Sequence, residues 1–250
     1  CYVIPDQNYQ RGYRGGSIWA TAAVDPATGY AYVGTGNPST RREDPRTNAI
    51  LKIDLVRTRS TFGDIVGVYK GTSNLSLDLD FGASPQLFQG ASGRTLVGEL
   101  QKSGVYHSAD AATMQGVWTT KVGPPSREDN AATAATNGRA VFVEGAPPGE
   151  LEALDVQTGH VKWIEPIGDV IHYEAITVAG GVVYTVDSLG NLDGFDAGTG
   201  RPLLRWPVWL GRGGGPGPIP NASSASVSVA RHTVYVSLNG AVVALRPARR

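Results

Sequence analysis

Apolar and polar residues alternate along this chain in short bursts, and no long stretch carries the three- and four-residue spacing of an amphipathic helix. The bursts fall into five units with one internal order. Each opens on a small-residue strand: SIWATAAVD from 17, FGASPQLFQ from 81, NAATAATNG from 130, YEAITVAGG from 173 and SSASVSVAR from 223. A Val/Tyr-rich strand follows, at AYVGTG from 31, TLVGEL from 95, AVFVEG from 140, VVYTVD from 182 and TVYVSL from 233. The third strand ends on an aliphatic-Asp step at Asp54, Asp110, Asp155 and Asp196, with Arg246 in place of the acid in the last unit.

After the third strand comes a D-x-x-T-G style turn and a strand bearing Trp118, Trp163 or Trp206. Asp accepts hydrogen bonds from the backbone two residues on, and Gly takes the positive φ that closes the hairpin. The Trp side chains, recurring at one repeat position, are expected to lie between neighbouring sheets. The Asp steps are 56, 45 and 41 residues apart, which suits a sheet of four short strands. A four-stranded antiparallel sheet repeated at this period predicts an all-β chain folded as a β-propeller. The blades are expected near 17–70, 81–122, 130–167, 171–210 and 222–247, in one domain spanning 1–250. The last unit stops after its third strand, so Tyr2, Val3 and Ile4 are candidates for the strand that completes it.

Composition supports the all-β reading: Gly 33 and Pro 16 break the chain often, and only 18% of residues are charged. Lys plus Arg and Asp plus Glu are both 22, so no overall field favours nucleic acid. The single cysteine, Cys1, excludes an internal disulfide framework and a multi-cysteine zinc site. No apolar run approaches the roughly 20 residues of a spanning helix. The start, without Met or a leader, predicts a processed or truncated N-terminus. The histidines, His107, His160, His172 and His232, lie in different units without metal spacing. GRGGGPGPIP at 211–220 reads as a flexible loop, and RREDPR at 41–46 as a solvated one. Asn74-Leu75-Ser76 and Asn221-Ala222-Ser223 fit the glycosylation pattern and are given no role.

The repeat with its D-x-x-T-G-x-x-x-W turn resembles that of the pyrroloquinoline quinone (PQQ) dehydrogenase propellers. GGSIWATAAVDPATGYAYVGTGNP, 15–38, looks like their segment at the floor of the cofactor site, and SLDLDFGASPQL, 76–87, with ELQKSGVYHSADAAT, 99–113, is most similar to the polyvinyl-alcohol-dehydrogenase-like branch. The resemblance implies an eight-bladed ring of which these five blades form the C-terminal part. Trp19 matches the tryptophan on which the quinone stacks, and Ser17 a neighbouring cofactor contact. Asn37 matches an asparagine that ligates calcium. Asp78 matches the catalytic aspartate that takes the alcohol proton and lies near the metal. Asp80, two residues on, would add a carboxylate to that metal, and Lys102 matches the residue that polarises the quinone carbonyl.

The activity so implied is PQQ- and Ca²⁺-dependent oxidation of a small-molecule or polymeric alcohol, with a cytochrome c as electron acceptor, in the periplasm or outside the cell. The family also draws on N-terminal blades for an acidic calcium ligand and cofactor contacts, and the loop PPSREDNAAT at 124–133 lacks the aromatic of the opposite wall. An incomplete site predicts a weakly active or inactive chain. The alternative is a non-catalytic propeller of the same repeat type, an interaction scaffold in the cell envelope, for which Cys1 would be a lipid-anchored first residue.

Overall fold

A computed structural model describes residues 2–127, 129–168, 175–208, 226–238 and 241–246. Cys1, His172, the loop 211–220 and Asn221-Ala222-Ser223 lie outside the described residues. The first sheet is β1 (Ala23–Asp25), β2 (Tyr30–Gly34), β3 (Ala49–Asp54) and β4 (Ile65–Lys70). The second is β5 (Gln86–Gln89), β6 (Thr95–Gln101), β7 (Val105–Asp110) and β8 (Gly116–Lys121). The third is β9 (Ala135–Thr136), β10 (Ala140–Glu144), β11 (Gly149–Asp155) and β12 (Val161–Gly168). The fourth is β13 (Thr177–Ala179), β14 (Val182–Val186), β15 (Asn191–Asp196) and β16 (Pro202–Pro207). The fifth has β17 (Ser226–Ala230), β18 (Thr233–Leu238) and β19 (Ala241–Leu245). Within each sheet every neighbour is antiparallel and next in sequence, and the first strands touch in order, β1 with β5, β5 with β9, β9 with β13 and β13 with β17. That is the arrangement of β-propeller blades around an axis.

β6, β7, β10 and β11, the second and third strands of the second and third sheets, are buried on both faces because each of these sheets is sandwiched between two others. Tyr32 and Ile50 of the first sheet meet Val97 and Ala109 of the second. Leu96, Leu100 and Tyr106 meet Val141, Val143 and Leu154 of the third. Phe142 and Leu151 meet Val183 and Phe195 of the fourth, and Val186 and Leu192 meet Val227 and Val236 of the fifth. Outer strands face water, and β16 is exposed throughout. A register shift recurs between the third and fourth strands of all four complete sheets, where a bulge deepens the blade's twist.

The D-x-x-T-G turns form as expected. Oδ1 of Asp110 accepts from the Ala112 and Thr113 amides, that of Asp155 from Gln157 and Thr158, and that of Asp196 from Gly198 and Thr199. The Thr199 hydroxyl leads the contacts that hold the Asp196 carboxyl below its usual range. Trp118 donates its indole N–H to Val156 O of the next blade at 3.2 Å, and Trp163 does the same to Ala197 O at 3.2 Å. Trp206 departs from this pattern and is 57% exposed. In the fifth sheet Arg246 stands where the other units carry the acid, and its Nε donates to Thr233 Oγ1 at 3.0 Å.

Two further expectations are corrected. Tyr2, Val3 and Ile4 form no strand and do not complete the fifth sheet. Val3 packs instead on Val33, Ala49 and Leu51 of the first sheet, and its carbonyl accepts from Arg46. The first strands are also shorter than the small-residue runs, so that Trp19 precedes β1 rather than lying within it. The Ser17 carbonyl accepts from Gly36 N at 2.8 Å, just beyond the end of β2, so the segment before β1 stays tied to the first sheet.

Candidate functional site

The loops that carry Ser17, Trp19, Asn37, Asp78, Asp80 and Lys102 all emerge at one end of the first two sheets. In an antiparallel blade the start of the first strand and the end of the second lie at the same end. Ser17 and Trp19 precede β1, Asn37 follows β2, Asp78 and Asp80 precede β5, and Lys102 follows β6. The fold thus brings together residues as far apart in sequence as 17 and 102.

Lys102 is the centre of the cluster. Its Nζ lies 3.0 Å from Asp78 Oδ2 and 3.3 Å from Asp80 Oδ2, with the three side chains 10%, 28% and 11% exposed. It also stands 5.5 Å from the centroid of the Trp19 ring, within cation–π range. Asp80 Oδ1 accepts the backbone amide of Asn37 at 2.6 Å, so Asn37 meets the carboxylate through its main chain. A Cβ on Gly36 would lie 2.8 Å from Ser17 Oγ and 3.4 Å from Asp80 Oδ1, which puts the Ser17 hydroxyl beside that carboxylate. Burial pushes the Asp80 carboxyl above its usual range, against the opposite pull of the Asn37 amide and Lys102.

Two features of the cluster fit a bound ligand. The Trp19 ring is 52% exposed at the rim, leaving indole surface open for stacking on a planar partner. Asp78 Oδ1 is buried and has no hydrogen-bond partner. A buried carboxylate oxygen without a donor is costly, and a hard cation with oxygen ligands satisfies it. Asp78 and Asp80 carry such oxygens. No group of three or more His, Cys, Asp or Glu gathers for a metal among the described residues, so protein oxygens alone make a partial set.

Gly82 sets the position of Trp19: a Cβ there would fall 2.5 Å from the indole Cη2. Gly82→Ala should therefore displace the ring from Lys102 while costing stability only about 1 kcal/mol. The check is a changed Trp19 emission, isolated by comparison with Trp19→Phe, alongside an almost unaltered urea midpoint.

The structure adds buried groups that the spacing of residues did not reveal. Gln101 is fully buried beneath the Asp78–Asp80 segment, and Asn130 donates to Lys102 O at 3.3 Å from the 124–133 loop. Glu99 is fully buried against Gly34 and Phe81, with neither carboxylate oxygen partnered, and burial holds its pKa well above the usual range. His107 is a strand residue, as its sequence context suggested, but lies 4% exposed, and burial pushes its pKa down to about 4. A polar residue inside a β-rich repeat gives no sign in sequence of which sheet it will face.

Similarities to known proteins run in two directions. A polyvinylalcohol dehydrogenase of Pseudomonas sp is 26% identical over 224 residues, 77% of this chain but 35% of that protein. BamB from Moraxella catarrhalis superposes with a TM-score of 0.63 at 20% identity, over 92% of this chain and 59% of that one. A europium-containing methanol dehydrogenase superposes with a TM-score of 0.72 at 15% identity, over 94% of this chain and 52% of its own. The quinohemoprotein alcohol dehydrogenase of Comamonas testosteroni gives 0.64 at 16% identity, over 90% and 44%. These structures share the fold, and the chain spans about a third to three-fifths of the length of the proteins it resembles. Residues 60–250 match the PQQ_2 family, described as outer membrane protein assembly factor BamB. Five blades of PQQ-type repeat, matched over most of their length, make this chain a member of the PQQ_2 family of β-propellers.

Proposed function

We propose that the chain carries one wall of a PQQ- and calcium-binding site of the quinoprotein alcohol dehydrogenase kind. The observation that carries this reading is the convergence of Trp19, Lys102, Asp78 and Asp80 at one end of the first two blades, with Asn37 amide on Asp80. Bound there, the quinone would supply the two-electron acceptor and calcium the Lewis acid for oxidation of an alcohol. Trp19 offers the stacking face. Lys102 holds positive charge where a quinone oxygen would gain electron density. Asp78 is the carboxylate that would accept an alcohol proton. Asp80 is braced by a backbone amide and balances Lys102, while Asp78, Asp80 and Asn37 contribute oxygens to the cation. The working compartment on this reading is the periplasm or cell exterior, with a cytochrome c as electron acceptor. No helix among the described residues is long and apolar enough to cross a membrane.

A second reading is a non-catalytic scaffold of the cell envelope that binds protein partners, favoured by the family match over residues 60–250 to an outer membrane assembly factor. The two separate in one titration. Adding PQQ with Ca²⁺ to the purified chain should quench tryptophan emission saturably in the micromolar range, and both Trp19→Ala and Asn37→Ala should abolish the saturable component. Linear quenching without saturation in the wild-type chain would reject the cofactor reading and leave the scaffold.

A further inference from the structure

We infer that Gln101 is a positioning residue for the Asp78–Asp80 carboxylate pair, held in one orientation by a buried hydrogen-bonded relay from Tyr69 through His107. The Gln101 side chain is fully buried. Its Nε2 donates to Leu79 O and to Thr72 O, each at 2.8 Å. Its Oε1 accepts from Thr72 N at 3.1 Å and Ser103 Oγ at 2.8 Å. Leu79 lies between the two aspartates and is itself 3% exposed, so a clamp on its carbonyl fixes the backbone from which both carboxylates spring.

His107 decides which way the carboxamide points. Its Nε2 lies 3.0 Å from Gln101 Oε1 and its Nδ1 2.9 Å from the Tyr69 hydroxyl. An amide oxygen only accepts, so Nε2 carries the hydrogen and Nδ1 receives one from Tyr69. The ring is caged edge-on by Tyr69 and Phe81, with centroids 5.7 and 5.2 Å away. Burial pushes the His107 pKa down to about 4, which keeps the imidazole neutral and the relay in one tautomer near neutral pH. Five hydrogen bonds on one buried amide exceed what packing at this position needs, and they converge on the segment that bears the carboxylates. What those carboxylates do rests on the reading above; that the relay positions them does not.

The test compares the carboxyl-carbon NMR shifts of the aspartates and the amide exchange of residues 78–80 at one neutral pH in the wild-type chain, Gln101→Leu and Tyr69→Phe, without cofactor. Loosening the clamp should shift or broaden the Asp78 and Asp80 signals and speed exchange of the amides in that segment about tenfold or more. The signals of Asp155 and Asp196, in turns of the third and fourth sheets, should stay in place in every variant. A role confined to packing would lower the urea midpoint without moving the Asp78 and Asp80 signals. Those signals superimposing on wild type in folded Tyr69→Phe would overturn the inference, and if Gln101→Leu does not fold, Tyr69→Phe decides alone. A wild-type chain that fails to bind quinone would defeat the functional reading without touching this result.

Discussion

Lys102→Met should abolish cofactor binding and lower the stability of the chain by about 3 kcal/mol at neutral pH. Methionine keeps the apolar stem but removes the ammonium shared by Asp78 and Asp80, at 3.0 and 3.3 Å. Two mostly buried carboxylates would then face each other without a counter-charge, and removing one partner of a buried pair costs about 3–5 kcal/mol. Partial exposure of Asp78 places the expected cost at the lower end. The pH dependence has a definite sign. An acid whose folded pKa is raised binds protons more readily in the native state, so stability falls as pH rises from its unfolded pKa through its folded one. Asp80 already behaves this way in the wild type, chiefly through burial. Without Lys102 its pKa rises further, so the variant's deficit should be greatest at neutral pH, shrink as the pH falls through the raised pKa, and be smallest below about pH 4. Urea melts of both proteins across that range measure it; a deficit independent of pH would show that the ammonium does not compensate the pair.

The second large effect is expected at a blade junction. Gly159 has φ +72, and a Cβ there would lie 2.5 Å from Trp118 Cε3 and 2.9 Å from Thr120 Oγ1. Gly159→Val would meet the left-handed backbone cost of about 1–2 kcal/mol. It would also lift the Trp118 indole off the turn, break its bond to Val156 O and disturb the bond from Thr120 Oγ1 to Gly159 O. Overpacking of this kind costs about 1–3 kcal/mol, for a total near 4 kcal/mol. Gly138→Val is the control, because Gly138 has φ +81 but nothing within 4 Å of its virtual Cβ. It should lose only the backbone part. Equal losses in the two variants, measured by urea denaturation, would mean that Trp docking contributes nothing beyond backbone conformation.

The sequence was most legible where one residue's chemistry is satisfied locally. An Asp that caps amides two and three residues on needs no partner from elsewhere, so the turns at Asp110, Asp155 and Asp196 could be placed from spacing alone. The alternating Val/Tyr strands carry their own periodicity, and β2, β6, β10, β14 and β18 lie where it put them. Trp118 and Trp163 could be assigned because the glycine turn they rest on recurs with them. Trp206 shows the limit: it shares the repeat position of Trp118 and Trp163 yet is 57% exposed, which the repeat position alone does not announce. The residues of the candidate site could be named through a family resemblance. Their meeting at one end of two blades depends on sheet pairing across more than eighty residues.

By itself, the sequence determined the repeat, the strand periodicity, the turn chemistry and hence the propeller architecture, because each follows from contacts within a few residues. The tertiary structure decided which polar groups are buried and what they face. Lys102 is 8% exposed between two carboxylates. Gln101 and His107 become a buried relay, and Val3 packs on the first blade instead of closing the last. Burial and partner choice depend on which sheet lies opposite, and that is set by the packing of whole blades, which no local pattern encodes.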